Sequence, residues 1–268
     1  MSSTPLWVDL AKAHVLVEDE LTQALLAATW EDVGVRVEHV GGEHAVRGMV
    51  NDASKRGATS VFGVVDRDFA VPAGWTGAQV YRLERHEAEN YLLDFDVLAH
   101  LAGVERGEVE GVATAFASGC CPWMAARRAL WEINGGLVEN FPALQGPSQQ
   151  APLTLDDAVA KVKSATYWKG LNRKVKQDWT ANALRDLVHQ HHASFTDEVS
   201  RGLWITTFSG KEVLQHLRGK FPALTKRGSS VVNEVDLAKL VARRWRAHNG
   251  APGEIVTVLG EIKRRAAV

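Results

Sequence analysis

Val61-Phe62-Gly63-Val64-Val65-Asp66-Arg67-Asp68 decides how the rest of the chain is read. Five apolar or small residues in a row describe a strand covered on both faces, as in a parallel sheet. Two aspartates follow, one residue apart. Side chains alternate along an extended chain, so Asp66 and Asp68 are expected to project to one side. Carboxylates that close repel unless a cation lies between them or one takes up a proton. The end of a parallel strand is also where open α/β sheets place their ligands. Asp is equally a common turn former, so the pair alone weighs a divalent-metal site evenly against a plain loop start.

The flanking sequence repeats the pattern. His14-Val15-Leu16-Val17 reads as a short apolar strand that ends at Glu18-Asp19-Glu20. Leu21, Ala24, Leu25 and Ala28 then recur at helical spacing up to Trp30, behind acidic residues that suit the positive end of a helix. Val33, Val35, Val37 and His39 alternate as a second strand, Gly41-Gly42 ends it, and Glu43 to Arg56 reads as a helix stopped by Gly57. After the Asp66 strand, Val80 to Leu83 gives a fourth. Strand, helix, strand, helix, strand is the signature of βαβ units, so the expected fold class is α/β with a parallel sheet.

Beyond Leu83 the character changes. Glu87–Leu93 and Phe95–Leu101 read as helices, with little strand signal until Leu203-Trp204-Ile205. The Pro-, Gln- and Gly-rich stretch 141–152 reads as a linker or surface loop. Helices are expected over Asp156–Ser164, Asp178–His192, Lys211–Arg218, Glu234–His248 and Glu254–Arg265. The division expected is an α/β domain over 1–102 and a helical, basic region over 103–268 that returns to the first near 203–218.

Composition bounds the function classes. A chain of 268 residues with 46% hydrophobic and 24% charged residues can build a sizeable core. No run of about 18 uncharged apolar residues spans a membrane, and Met1-Ser2-Ser3-Thr4-Pro5 lacks the basic start and apolar centre of a secretory signal. Two adjacent cysteines, Cys120 and Cys121, exclude a disulfide scaffold and point to buried packing in a reducing cytoplasm. The net charge of −1 hides a split: residues 1–100 hold 16 acidic and 8 basic side chains, and residues 101–268 hold 16 and 23. Such a split fits an acidic site in one half and an anion-facing surface in the other, or two halves that attract each other.

Glu18 ends the first strand as Asp66 ends the third, and equivalent strand ends share one rim of a parallel sheet. Glu18, Asp66 and Asp68 therefore make a candidate hard-oxygen site, suited to Mg²⁺ or Mn²⁺ rather than zinc. His189, His191 and His192 stand too close together for a tidy tetrahedral set and read as a solvated helix end.

These residues resemble the Toprim domain, shared by topoisomerases, bacterial primases and the overcoming-lysogenization-defect (OLD) nucleases. The resemblance lies in a strand ending in Glu18 and a strand ending in Asp66-Arg67-Asp68, 48 residues on. A strand leading through Arg82-Leu83-Glu84-Arg85-His86-Glu87-Ala88 into Glu89-Asn90-Tyr91-Leu92-Leu93 looks like the OLD branch. It is similar to the Toprim-like proteins paired with ABC-type ATPases in phage defence. Phe208-Ser209-Gly210-Lys211-Glu212 resembles a late glycine-lysine motif of that group, and the clear likeness covers about residues 13–102.

The resemblance implies a divalent-metal-dependent nuclease that hydrolyses DNA or RNA phosphodiesters, with one or two Mg²⁺ or Mn²⁺ ions. It implies Glu18 as general base or ligand, Asp66 and Asp68 as ligands, Glu89 as a ligand for a second ion, and Lys211 as a stabiliser of phosphate charge. Glu84 and Glu87 compete with Glu89 for that role. The partners implied are nucleic acid and an ABC-type ATPase, with room for a homodimer and no membrane. One residue departs from the pattern: Asp19 stands where Toprim glutamates are usually followed by glycine. A catalytically degenerate Toprim module that only binds or regulates is the alternative.

Other readings fit less of the chain. Val15 to Glu20 also resembles the acidic pocket of response-regulator receivers, with Asp66 as the phosphoacceptor. Arg67-Asp68 and Glu84-Arg85-His86 stand where that pattern needs apolar and small hydroxylated residues. A haloacid-dehalogenase phosphatase places Asp-x-Asp after its first strand and continues to Thr or Val, where Phe69 follows here. Gly210-Lys211 fails the P-loop pattern, with Ile205 in place of its first glycine and Glu212 after the lysine, so no ATP hydrolysis is expected of this chain. Lys211 can equally cap a loop or pair with Glu212, and Glu89 can equally be a helix-start acid.

Lys161, Lys163, Lys169, Arg173, Lys174 and Lys176 crowd one region, interleaved with Tyr167, Trp168 and Trp179. Basic side chains follow phosphates while aromatics stack on exposed bases, so this run is the candidate nucleic-acid surface. A solvated charged face is the plainer account. Arg243, Arg244, Arg246 and Lys263-Arg264-Arg265 are weaker versions.

Overall fold

The computed structural model describes residues 13–31, 34–69, 73–135, 154–164, 180–227, 230–248 and 250–266. A five-stranded sheet lies at its centre. Strands β1 (Ala13–Val17), β2 (Val35–His39), β3 (Val61–Val65), β4 (Gly74–Trp75) and β5 (Val80–Arg82) run in the order β2-β1-β3-β5-β4. The first four in that order are parallel and β4 is antiparallel to β5, so the sheet is mixed rather than wholly parallel. Two residues of β4 carried too little periodicity to be read as a strand.

Every residue of β1 and β3 is buried, as an apolar run covered on both faces requires. Their side chains divide the core. Leu16, Val61 and Val65 pack with Val46, Val50 and Ala53 of helix α2 (Glu43–Lys55) on one face. Val15, Val17, Phe62 and Val64 face the opposite cluster, which includes Leu21, Leu25 and Leu26 of α1 (Glu20–Thr29). Gly63 lets α2 come close, since a Cβ there would lie 2.7 Å from Val46 Cγ1.

The remaining helices are α3 (Phe95–Ala102), α4 (Arg106–Gly135), α5 (Leu155–Ser164), α6 (Ala181–Ser200), α7 (Gly210–Lys220), α8 (Glu234–His248) and α9 (Gly253–Ala266). One apolar cluster runs from β1 and α1 through α3, α4, α6 and α7 to α9, joining residues on both sides of position 102. Trp30 Nε1 donates to the Ile255 carbonyl at 3.3 Å, tying the end of α1 to α9. No described helix is long and apolar enough to cross a membrane.

Two local expectations are corrected. Leu203-Trp204-Ile205 is not a strand but part of a 3₁₀ turn, Leu203–Thr206, with Trp204 buried between Phe95 and Phe208. Three apolar residues suit a buried turn as well as a strand. The helix expected over Glu87–Leu93 is present as a 3₁₀ helix, Ala88–Leu92. The histidines of α6 stand within a helix that continues to Ser200, and His191 Nε2 lies 3.2 Å from Glu132 Oε1. Cys120 and Cys121 are buried free thiols, as expected.

Candidate metal centre

The strand order places the topological switch between β1 and β3, because the chain leaves β1 toward β2 on one side and reaches β3 on the other. Ligand sites in open α/β sheets fall at the carboxyl ends of the strands at that point. Glu18 and Asp66 stand there. Glu18 Oε1 accepts the Asp66 backbone N–H at 2.7 Å, a contact between segments 48 residues apart. Asp19 caps α1, its carboxylate accepting the Thr22 N–H at 2.7 Å from an extended backbone with φ −145°. A glycine is not needed for that conformation.

Asp68 reaches the rim by a different route from the one alternation predicts. The chain leaves the sheet after Val65, and Asp68 takes φ +46°, the one described non-glycine residue in the left-handed region. Asp tolerates that region because its short polar side chain bonds locally. The turn is tied down from outside: the Asp68 N–H donates to the His86 carbonyl at 2.8 Å, and the His86 N–H to the Thr206 carbonyl at 2.9 Å.

The three competing glutamates separate. Glu84 is exposed and its backbone N–H donates to Glu254 Oε1 at 2.6 Å, on the side where the Tyr91 hydroxyl also donates to Glu254. Glu87 is buried and committed: Ser209 Oγ donates to its Oε2 at 2.8 Å, the Lys211 N–H donates to the same oxygen at 3.2 Å, and Arg127 Nη2 lies 3.0 Å from Oε1. Glu89 has no ion pair among the described residues, and its charge adds to the push on Asp66. Asn90 completes the latch by donating to the Ile205 and Phe208 carbonyls at 2.7 and 2.9 Å and accepting the Glu87 N–H at 2.9 Å. The late glycine-lysine segment is thus brought to the rim by its backbone; the Lys211 side chain is exposed and has no ion pair among the described residues.

Crowding sets the electrostatics. Burial first, then Glu18, Asp19, Glu89 and Asp68, push the Asp66 carboxyl well above the usual range. Burial also raises Glu18, against the Asp66 N–H, with Asp68, Glu43 and Asp19 adding to the rise. Asp68 is raised by burial of its carboxylate while Arg127 pulls it down; the residue still meets solvent, which screens that push. Burial and then Glu87 push Glu89 up to about 7. Glu87 goes the other way: burial raises it, but Arg127, His86, Ser209 and the Lys211 N–H outweigh burial and hold it low. Glu43 is neutralised by Arg47 and Arg82, at 2.7 and 2.9 Å.

His86 and Arg127 belong to the site, and the sequence reading did not find them. His86 is fully buried. Burial, against the pull of Glu87, pushes its imidazole down to about 4. Nδ1 lies 2.5 Å from the Asp68 carbonyl, which can only accept, so Nδ1 carries a proton. Asp68, His86 and Glu87 are the one described trio whose ligand atoms all lie within 4.8 Å of one another. Glu18, Asp66 and Asp68 repel one another across a wider rim. The signal for His86 was its place beside Glu87, directly after the fourth strand; Arg127 gave none. A cavity of about 230 Å³, lined by Arg67, Asp68, Phe69, Arg128, His191 and Thr207 among others, opens beside the cluster.

Lys161 and Lys163 fall in α5, whose side chains there are not described. Tyr167, Trp168, Lys169, Arg173, Lys174, Lys176 and Trp179, with the loop 141–152, lie outside the described residues.

A pH titration checks the crowding. A carboxyl whose folded pKa lies above its unfolded value stabilises the fold fully below the unfolded value and loses that contribution as pH rises through the folded one. For Glu89 the window runs from 4.5 to about 7. Metal-free protein is therefore expected to lose stability on the order of a few kcal/mol across that window. Glu89→Gln is expected to flatten the loss; an unchanged slope in denaturant melts would mean Glu89 is not crowded.

No protein-family model matches the chain, and no curated protein matches it.

Proposed function

We propose that this chain is a divalent-metal-dependent phosphodiesterase acting on nucleic acid, with its centre at the β1–β3 switch. The observation that supports this reading is the gathering of Glu18, Asp66, Asp68 and Glu89 at one rim, with no ion pair to any of the four among the described residues. Such a set holds together at neutral pH by protonation or by a cation, and hard oxygen donors fit Mg²⁺ or Mn²⁺. A cation there supplies Lewis-acid polarisation of a phosphate oxygen and a lower pKa for bound water. Glu18 and Asp66 would hold it. Glu89, with its pKa pushed up to about 7, would take or give a proton, and Lys211 would meet phosphate from solvent. The resemblance to OLD-type Toprim nucleases adds the ABC-type ATPase partner and the role in phage defence as further parts of the proposal.

The receiver reading shares the β1–β3 switch, so the test separates the two. Plasmid and tRNA cleavage would be followed over Mg²⁺ and Mn²⁺ titrations with a chelator control, alongside acetyl-phosphate labelling. Asp68→Asn is the deciding variant, because Asn also tolerates the left-handed backbone and removes only the charge. Chelator-sensitive cleavage lost in Asp68→Asn is the expected result. Phosphorylation of Asp66 with wild-type behaviour of Asp68→Asn would favour the receiver; thermal stabilisation by Mg²⁺ without cleavage would favour a binding module.

A further inference from the structure

Asp68, His86 and Glu87 bring three ligand atoms within 4.8 Å of one another, from two segments stitched by paired hydrogen bonds. The Nδ1 bond to the Asp68 carbonyl fixes the tautomer, as a carbonyl behind a metal-binding histidine does. It leaves Nε2 buried, with no hydrogen-bond partner. Glu87 Oε1 lies 3.6 Å from that nitrogen. A buried ring nitrogen and a carboxylate oxygen this close call for something positive between them, a proton or a metal ion. Arg127 reaches the same carboxylate oxygen but makes no bond to Nε2.

We propose that Asp68, His86 and Glu87 form a second, nitrogen-containing cation site that takes a borderline transition ion, Mn²⁺ or Zn²⁺, over Mg²⁺, and that Arg127 is the cation it displaces. Imidazole in the ligand set moves preference away from Mg²⁺, which favours all-oxygen surroundings. Two carboxylates and one imidazole leave positions open for water or substrate. Asp68 lines the adjoining cavity, which gives the ion a way in. The Arg127 side chain is 30% exposed, so its guanidinium has solvent to turn into. Glu87 Oε2 stays with Ser209 and Lys211, which hold the carboxylate in orientation. The inference rests on the metal-dependent reading only through Asp68, which both sites share.

The test reads metal binding, not cleavage. Mn²⁺ would be titrated into the full chain and followed by electron paramagnetic resonance, with Zn²⁺ and Mg²⁺ as competitors. Electron spin echo modulation on the wild type reports whether nitrogen is bonded to the Mn²⁺. The expected result is a nitrogen coupling that is lost in His86→Phe, which keeps a ring against Phe69. His86→Phe is also expected to weaken Mn²⁺ binding roughly ten- to a hundredfold. Arg127→Gln is expected to act in the opposite direction, tightening it by about tenfold, because a like charge beside the site is removed. Opposite signs distinguish ligand competition from general damage to the fold. Bound Mn²⁺ with no nitrogen coupling in the wild type overturns the inference whether or not the variants fold, as does a coupling that survives His86→Phe. Cleavage with nitrogen-free Mn²⁺ defeats this inference alone, and nitrogen-bound Mn²⁺ without cleavage defeats the nuclease reading alone.

Discussion

Glu18→Gln is expected to reduce metal-dependent cleavage by about a thousandfold, some 4 kcal/mol of transition-state stabilisation, while leaving the fold intact. The amide keeps an oxygen to accept the Asp66 N–H, so the link between the ends of β1 and β3 survives. Only the charge goes. In metal-free protein that loss relieves repulsion on Asp66, whose carboxyl Glu18 pushes up more than any other neighbouring charge. The variant should therefore melt at or above the wild-type temperature without metal and lose much of the stabilisation that Mg²⁺ brings. Asp52→Asn, on the exposed side of α2, is the control and should change neither quantity. Wild-type cleavage by a folded Glu18→Gln would remove Glu18 from the chemistry. A lower metal-free melting temperature would show that its charge is structural.

Gly210→Ala is expected to cost about 3 kcal/mol, the largest stability loss foreseen for so small a change. A Cβ at position 210 would lie 2.3 Å from Asn90 N, 2.7 Å from Asn90 Oδ1 and 2.7 Å from the Glu89 carbonyl carbon. Most of that is backbone, and the Asn90 side chain is fixed by three hydrogen bonds, so neither can step aside. The start of α7 would be driven off the Glu87–Asn90 turn, and Glu87 would lose the Ser209 and Lys211 donors. At roughly 2–4 °C per kcal/mol for a chain near this size, the melting temperature should fall by about 6–12 °C. Gly219→Ala, in the same helix with open space around it, should instead be neutral or slightly stabilising, because alanine is the better helix former. Equal melting of the two variants would show that the close approach is not needed.

The two proposed sites were legible to different degrees. The Glu18–Asp66 contact could be read because buried parallel strands announce themselves by composition, and their carboxyl ends share a rim. Asp68 was expected beside Asp66 by strand alternation. Alternation holds only while the chain stays extended, and here it stops at Val65. Glu84, Glu87 and Glu89 could not be told apart, since each role depends on distant partners: Glu254 for Glu84, Arg127 and Ser209 for Glu87. His86 was visible only as a polar neighbour in the right place. Helix α6 read too short because its last turns bury few residues, Phe195 among them.

The sequence by itself determined the α/β class, the order of the early strands and helices, and the two strand ends that carry acids. Those follow from local periodicity, which a few adjacent residues contain. Packing between distant segments decided that Arg127, from the middle of a 30-residue helix, would neutralise Glu87, while Glu89 has no ion pair among the described residues. It also decided that Ser209 and Lys211 would close on Glu87 from more than a hundred residues away. The physical reason is that a carboxylate's charge state depends on what is packed around it. Burial and counter-ions are supplied by segments whose approach no local pattern encodes.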